Sequence, residues 1–146
     1  MTRIIAGEAR GRTIKVPTEG TRPTADRARE GLFSSLAARW GFAGSSVLDL
    51  FAGSGALGLE AASRGAEEIV LVESSADAVK IIRHNMGVVK HPGVRVQEMK
   101  VGTYLGSAPR RHFDLVLADP PYAFDEVDEL IAAIEPVLCD HAMVVI

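Results

Sequence analysis

Short apolar segments alternate with helical segments from residue 46 onward, and this alternation constrains the fold more than any other feature of the sequence. Apolar segments of strand length are predicted at 47–51, 69–72, 94–96, 113–118 and 142–146. Segments with helical spacing of apolar residues are predicted at 56–64, 76–89 and 126–138. Apolar strands that alternate with helices predict a parallel sheet covered on both faces. The predicted fold class is therefore α/β, with a Rossmann-like, mostly parallel sheet.

The N-terminal region has a different pattern. Residues 3–6 and 13–16 flank two glycines, Gly7 and Gly11, and predict a β-hairpin. Residues 24–39 repeat apolar side chains at helical spacing and predict a helix. We therefore expect a hairpin and a helix to precede the sheet.

The charge of the chain is distributed unevenly. Residues 1–29 carry seven bases against three acids, whereas residues 30–146 carry nine bases against sixteen acids. A basic segment on an acidic body favours a polyanionic partner that binds through the basic segment. We therefore divide the chain into a basic hairpin arm, residues 1–22, and a main domain, residues 23–146, and we expect the main domain to fold without the arm.

Bulk properties indicate one globular domain. A chain of 146 residues with 47% apolar content can bury a substantial core. No apolar run reaches the roughly 18 residues of a membrane span. The first residues lack the apolar segment of a signal peptide, and the single cysteine, Cys139, cannot form an internal disulfide. We therefore expect a cytoplasmic protein with no membrane partner.

A glycine-rich segment follows the first predicted strand of the sheet. Gly53, Gly55 and Gly58 satisfy the pattern G-x-G-x-x-G, and Glu73 follows Gly53 by twenty residues at the end of the next strand. Glycines at such a turn let the backbone approach a ligand closely, and an acid at this distance accepts hydrogen bonds from ribose hydroxyls. The pattern indicates a nucleoside-type cofactor.

The acid Asp49 narrows the choice of cofactor. It lies in the strand just ahead of the glycines, where it would repel the pyrophosphate of NAD. A ligand with a sulfonium and an α-ammonium group would instead be attracted. Asp49 therefore favours S-adenosylmethionine over NAD, while a buried acid satisfied only by backbone N–H groups stays an open alternative.

The predicted strand 113–118 ends in Asp119-Pro120-Pro121-Tyr122. The two prolines fix their own φ angles and restrict the residues before them, so the segment predicts a rigid turn at the carboxyl edge of the sheet. The turn offers a carboxylate and backbone carbonyls as acceptors, and one ring for stacking. These groups suit a flat base that bears an amine. A strand-ending turn that contains an Asp by chance remains the alternative.

These motifs together resemble those of the class I S-adenosylmethionine-dependent methyltransferases that modify exocyclic amines. A longer series of residues resembles one family in particular, the bacterial small-subunit ribosomal RNA guanine-N2 methyltransferases, or RsmD family. The series comprises Arg3-Ile4-Ile5-Ala6-Gly7, Arg10-Gly11-Arg12, Arg22-Pro23-Thr24, Arg27, Arg29-Glu30, Leu32-Phe33, residues 48–55, Gly58-Leu59-Glu60-Ala61 and Ser63-Arg64-Gly65-Ala66.

The resemblance implies transfer of a methyl group from S-adenosylmethionine to the exocyclic N2 of a guanine in 16S ribosomal RNA. It implies that the base is held by Asp119, Pro120, Pro121 and Tyr122. It implies that the cofactor is bound by Asp49, Phe51, Ala52, Gly53, Ser54, Gly55, Glu73 and Ser74. It implies that RNA is contacted by Arg3, Arg10, Arg12, Arg22 and Arg27. The expected partner is ribosomal RNA, the 30S subunit or an assembly intermediate, and the expected state is a monomer.

The sequence departs from the family in two places. After the third strand of the sheet, the family places an Asp or Asn near the cofactor adenine. This chain has Lys100 at that position, and Glu98 is the candidate substitute acceptor. The family also has further strands after the fifth, and we expect these C-terminal strands to be missing here. The four histidines have no paired ligand spacing, so no metal site is predicted.

Two other functions remain open. A DNA adenine-N6 methyltransferase could hold an adenine amine in the same turn. A non-catalytic RNA-binding or ribosome-assembly protein could retain a relict cofactor pocket.

Overall fold

A five-stranded parallel sheet forms the centre of the fold. The computed structural model describes residues 1–16, 23–121 and 125–146, with the backbone alone at residues 23–26. The elements in chain order are β1 (Thr2–Arg3), β2 (Thr13–Ile14), α1 (Pro23–Arg39), β3 (Ser46–Leu50), α2 (Ala56–Ser63), β4 (Glu68–Glu73), α3 (Ala76–Val89), β5 (Val94–Glu98), α4 (Val101–Ser107), β6 (Phe113–Ala118), α5 (Val127–Ile134), a 3-10 turn (Glu135–Val137) and β7 (Leu138–Val145).

The strand order of the sheet is β5-β4-β3-β6-β7, and all four neighbouring pairs are parallel. The chain runs outward from β3 through β4 to β5 and then returns to the other side of β3. The order therefore reverses at β3 and β6. Ligands of open α/β sheets bind at the carboxyl ends of the strands at such a reversal.

Alternating side chains of the strands supply two hydrophobic layers, because successive residues of a strand point to opposite faces of a sheet. One layer contains Val47, Ile69, Leu71, Leu115 and Leu117, and it packs against α1, α2, α3 and the hairpin. The other layer contains Leu48, Leu50, Val70, Val72 and Val116, and it packs against α4 and α5. The predicted α/β class, with helices on both faces, is confirmed.

The hairpin is packed into the first of these layers. Its strands β1 and β2 are antiparallel and have two residues each, fewer than predicted. Ile4 and Ile14 are buried in the core. The carboxylate of buried Glu60 accepts hydrogen bonds from the backbone N–H groups of Ile5 and Ala6 at 2.9 and 3.2 Å. Deleting the hairpin would therefore expose core surface. Point substitutions of its arginines test its expected RNA binding without this effect. The domain boundary at residue 22 lies outside the described residues and stays a prediction.

Gly7 shows how closely the hairpin approaches α2. Its φ is +87°, and a Cβ atom there would lie 1.8 Å from the carbonyl oxygen of Ser63. The hydroxyl of Ser63 also accepts from the N–H of Ala9 at 2.9 Å and donates to the carbonyl of Ala6 at 2.6 Å. The hairpin is thus held by backbone contact with α2 as well as by its apolar side chains.

Three elements differ from the sequence predictions. Helix α4 was not predicted, because it has only seven residues, two of which are glycines, and its N-cap Lys100 makes no side-chain cap. Strand β7 begins at Leu138 rather than at residue 142, and α5 ends correspondingly earlier. A register shift interrupts the pairing of β7 with β6. The first residues of β7 therefore do not continue the regular alternation of its later part. Within the described ranges, no helix has the length and apolar character needed to cross a membrane.

Candidate functional site

Three carboxylates meet at the carboxyl edge of the sheet. Asp49 lies in β3, Glu73 ends β4, and Asp119 follows β6. Because β3 lies between β4 and β6, the ends of these strands are adjacent. The negative charges of Asp119 and Glu73 both act on Asp49. The structure therefore brings together two predicted cofactor residues and one predicted catalytic residue.

Asp49 is the buried member of this group, with 1% of its surface exposed. Its Oδ2 accepts a hydrogen bond from the N–H of Gly58 at 3.0 Å. Its Oδ1 is buried and has no partner within the described part of the chain. Burial chiefly raises the pKa of Asp49 to about 7; the Gly58 hydrogen bond opposes this, and the charges of Asp119 and Glu73 add to it. A buried acceptor of this kind suits a cationic ligand group.

Gly58 makes the hydrogen bond to Asp49 possible. A Cβ atom on this residue would lie 2.2 Å from Cδ2 of Leu71 and 3.1 Å from Oδ2 of Asp49. The third glycine of the pattern therefore lets α2 pack directly on β3 and β4, as such glycines do in nucleotide-binding folds.

Glu73 anchors the glycine-rich loop. Its Oε1 accepts from the N–H of Gly53 at 2.9 Å, and its Oε2 accepts from the N–H of Ser75 at 2.8 Å. Each carboxylate oxygen has a second lone pair and can still accept a hydroxyl group. Glu73 is therefore able to hold a ligand and the loop at the same time.

The loop itself, residues 51–55, has an unusual backbone. Phe51, Gly53 and Gly55 have positive φ angles of 58°, 60° and 81°. A positive φ at a non-glycine residue such as Phe51 carries strain, which is frequent at ligand sites. A Cβ atom at Gly53 would meet nothing within 4 Å. The loop therefore leaves open space beside its backbone at Gly53.

A cleft of about 500 Å³ lies beside Glu73. This volume is in the range of small-molecule sites. Three of the predicted cofactor residues line the cleft, namely Phe51, Glu73 and Ser74. The far wall includes Lys100, which the sequence placed near the expected adenine position. Its other residues were not predicted as part of the site and are Val101, Gly102, Leu105, Glu126, Glu129, Leu130 and Ala133. The sequence carried only a weak signal for this wall, the helical spacing of Val101 and Leu105.

The Asp-Pro-Pro turn lies at the same edge of the sheet. Asp119 is exposed, and its N–H lies 3.5 Å from the carbonyl oxygen of Leu50 at the end of β3. Pro120 is half-buried and Pro121 is exposed. Tyr122 lies outside the described residues. The carboxylate of Asp119 is thus available to a ligand approaching from solvent.

The predicted RNA-binding arginines have different environments. Arg3, Arg10 and Arg27 are exposed. Arg12 is exposed too, but its Nη1 donates to the carbonyls of Val88 and Val89 at 3.2 and 3.1 Å, so this side chain also holds the hairpin to α3. Arg22 lies outside the described residues.

The sequence also did not predict the long-range hydrogen bonds of Asn85. Its fully buried amide bonds to Lys15 and Ser54, which are distant in sequence. A lone polar residue at a buried helix position was the available signal.

Comparison with known proteins identifies the family of this chain. Residues 2–146 match the family model described as Conserved hypothetical protein 95. The chain is 38% identical over 145 residues to ribosomal RNA small subunit methyltransferase D of Escherichia coli, covering 97% of this chain and 72% of that protein. It is 35% identical over 143 residues to the protein of the same name from Haemophilus influenzae, covering 95% of this chain and 71% of that one.

Solved structures give the same result. The structure of Escherichia coli yhhF matches with a TM-score of 0.80 and 36% identity, over 99% of this chain and 75% of that one. A structure from Geobacter metallireducens described as a precorrin-6y C5,15-methyltransferase, at 19% identity and a TM-score of 0.73, shares the fold over 90% of this chain and 65% of that one. The chain therefore belongs to the RsmD family of methyltransferases, with a Rossmann-like, class I-type fold.

Proposed function

We propose that this protein transfers a methyl group from S-adenosylmethionine to the exocyclic N2 of a guanine in 16S ribosomal RNA. The observation that carries the proposal is the buried Oδ1 of Asp49, which has no partner among the described residues and lies at the same strand edge as the carboxylates of Glu73 and Asp119. Three acids at one strand edge suit a ligand with a positive charge and several N–H or O–H donors.

The residues present fit this cofactor. Asp49 would accept from its α-ammonium group, and Glu73 from its ribose hydroxyls. The open space beside the backbone of Gly53 would let the ligand lie directly against the loop. The cleft beside Glu73 and Ser74 would take the adenine, with Lys100 at the position after β5 where the family has an acid or amide. When bound, the cofactor supplies an electrophilic methyl group on a sulfonium.

The remaining task of the protein is to orient the target amine. The lone pair of guanine N2 is delocalised into the ring, so positioning and exclusion of water carry most of the catalysis. Asp119 and the carbonyl of Pro120 would accept the two N–H bonds of the amine and direct its lone pair toward the methyl group. Tyr122 would stack on the base. Asp119 would then be the acceptor for the proton that is lost.

Ribosomal RNA is proposed as substrate because the Escherichia coli and Haemophilus influenzae relatives are named as small-subunit rRNA methyltransferases. The exposed arginines of the hairpin and of α1 provide positive charge for phosphate groups. We further propose that the protein acts as a monomer in the cytoplasm, on the 30S subunit, an assembly intermediate or free rRNA.

The deciding experiment measures methyl transfer from labelled S-adenosylmethionine to free 16S rRNA, 30S particles and DNA, followed by nucleoside analysis. N2-methylguanosine from either RNA substrate supports the proposal and identifies the physical form of the substrate. N6-methyladenine from DNA would instead support the alternative. RNA binding without any methylated product would favour a non-catalytic RNA-binding protein.

We expect the affinity for S-adenosylhomocysteine to decrease as the pH falls below 7. The ligand-free pKa of Asp49 is about 7. The ligand ammonium would favour the ionised carboxylate, so binding at lower pH must first remove a proton. The loss approaches about tenfold per pH unit below the ligand-free pKa. Calorimetry between pH 6 and 8.5 would measure this slope.

The control for this prediction is Asp49→Asn. Weaker binding with a flat pH dependence is expected for this variant, because its amide does not titrate. A flat dependence for the unmodified protein would contradict the role of Asp49.

We expect the double substitution Arg10→Gln and Arg27→Gln to weaken rRNA binding and to flatten its salt dependence. Each lost phosphate contact lowers the magnitude of the logarithmic salt slope by about 0.7–0.9. Titrations over a range of salt concentrations give this slope. Arg110→Gln is the matched control, since Arg110 is exposed and precedes β6 at the opposite, amino edge of the sheet. Equal slopes for the double variant and the control would exclude these arginines from the RNA interface.

A further inference from the structure

Asn85 is a fully buried polar residue on α3, between the apolar residues Ile82 and Val89 of the same helix face. Burying an amide is unfavourable unless its donors and acceptor are paired. Here all are paired. The Oδ1 accepts from the backbone N–H of Lys15 at 2.8 Å, and the Nδ2 donates to the carbonyls of Lys15 at 2.8 Å and Ser54 at 2.9 Å.

The partners fix the orientation of this amide. The N–H of Lys15 must face the amide oxygen of Asn85, and the carbonyls of Lys15 and Ser54 must face its NH₂ group. Reversing the amide would break all three hydrogen bonds at once. Asn85 therefore recognises two separate backbone segments through one defined arrangement.

The first segment is the glycine-rich loop. The peptide group between Ser54 and Gly55 is held at both ends: its carbonyl accepts from Asn85, and its N–H donates to the carbonyl of Ala52 at 2.8 Å. The loop has positive φ angles on both sides of Ser54, at Gly53 and Gly55. Since glycines do not restrict their own φ angles, external hydrogen bonds must select this loop conformation.

The second segment is the hairpin. Lys15 directly follows β2, and the amide of Asn85 pairs with both its N–H and its carbonyl, as a neighbouring strand would. One side chain thus joins the hairpin, which carries the exposed Arg10, to the loop that is proposed to bind the cofactor.

We propose that Asn85 is a positioning residue that holds the glycine-rich loop in its ligand-binding conformation and links that conformation to the hairpin. This inference rests on the proposed function, because it needs the loop to bind the cofactor. Because Asn85 is fully buried and bonds only to backbone groups of Lys15 and Ser54, we expect it to touch neither substrate nor reacting atoms. Its effect is transmitted through the carbonyl of Ser54.

Two variants test the proposal. Asn85→Asp keeps the size of the side chain and an acceptor for Lys15, but it loses both donors and places oxygen against two carbonyls. Asn85→Leu removes all polar groups at similar volume. Val79→Ala is the control, since Val79 is buried on the same face of α3, its truncation leaves a cavity, and its apolar side chain makes no hydrogen bond to the loop.

The first measurement is calorimetric affinity for S-adenosylhomocysteine at a temperature where all variants are folded. We expect both Asn85 variants to bind about tenfold more weakly or worse, because a buried carbonyl loses its donor in each. Val79→Ala should bind as tightly as the unmodified protein even where its thermal midpoint is lowered. Unchanged affinity in both Asn85 variants, or an equal loss in Val79→Ala, would overturn the proposal.

The second measurement needs no ligand. Amide hydrogen exchange should increase in residues 51–58 and 13–16 of the Asn85 variants and stay unchanged there in Val79→Ala. Unchanged protection of the loop in the Asn85 variants would also overturn the proposal. Failure of the unmodified protein to bind S-adenosylhomocysteine would instead overturn the proposed function, and this inference with it.

Discussion

Replacing Asp119 by alanine is expected to reduce methyl transfer by about 10²–10³ while affinity for the cofactor stays within a few-fold. The carboxylate is exposed at the end of β6, so its removal leaves no cavity in the core. Its proposed task is to accept an N–H of the target amine, and this hydrogen bond aligns the lone pair only when the base is bound. The loss should therefore appear in turnover rather than in binding of S-adenosylhomocysteine.

The measurement is single-turnover methyl transfer to ribosomal RNA, with calorimetry of S-adenosylhomocysteine in parallel. Asp128→Ala is a suitable control, because Asp128 is an exposed acid on α5 that does not line the cleft. Near-normal turnover of the Asp119 variant would remove this residue from the catalytic site.

One secondary effect of Asp119→Ala is also expected. The negative charge of Asp119 raises the pKa of Asp49. Without it, Asp49 should ionise at lower pH in the ligand-free protein. The decline in cofactor affinity on acidification should therefore begin at lower pH in the variant than in the unmodified protein.

The sheet and most of its helices could be predicted because local pattern and tertiary environment agree. Strands β3, β4 and β6 are mostly apolar and are buried on both faces, as expected for central parallel strands. The acids at the strand ends were recognisable for a related reason, since a charged residue that directly follows an apolar strand must lie at an edge of the sheet. Because the strands are parallel, the strand ends that carry these acids lie at the same edge of the sheet.

The elements that escaped prediction depend on tertiary contacts. Helix α4 is short and glycine-containing, and its buried residues Val101, Tyr104 and Leu105 pack against the sheet. Tertiary packing can stabilise a helix that intrinsic propensity does not favour. The wall of the cleft was missed with it, because that wall is built by α4 and α5 together.

The sequence indicated the basic surface of the hairpin but not the contacts that anchor the hairpin to the helices. Its basic residues indicated a polyanion-binding surface, which remains a proposal. Its anchoring by Glu60, Ser63 and Asn85 could not be read from local patterns, because these contacts join residues that are more than fifty positions apart in the chain. Buried polar side chains on the helices α2 and α3 were the only local indication of such contacts.

Replacing Glu73 by alanine is expected to weaken the cofactor by about 2–3 kcal/mol, or about 30- to 150-fold. Two causes contribute. The variant loses the proposed acceptor for the ribose hydroxyls, and it also releases the N–H groups of Gly53 and Ser75 that the carboxylate holds. Glu67→Ala is the control, since Glu67 is exposed and precedes the opposite end of β4.

A ligand without the 2′-hydroxyl separates the two causes. We expect the unmodified protein to bind 2′-deoxy-S-adenosylhomocysteine more weakly than S-adenosylhomocysteine, because a charged acceptor loses a donor. In Glu73→Ala the two ligands should bind almost equally, since the acceptor is gone, while both remain weak because the loop is released. If Glu73→Ala keeps the full preference for the 2′-hydroxyl, the ribose contacts another residue, and Glu73 acts only by holding the loop. If its affinity for both ligands is unchanged, Glu73 has neither role, and the carboxyl edge of β4 is not the ribose site.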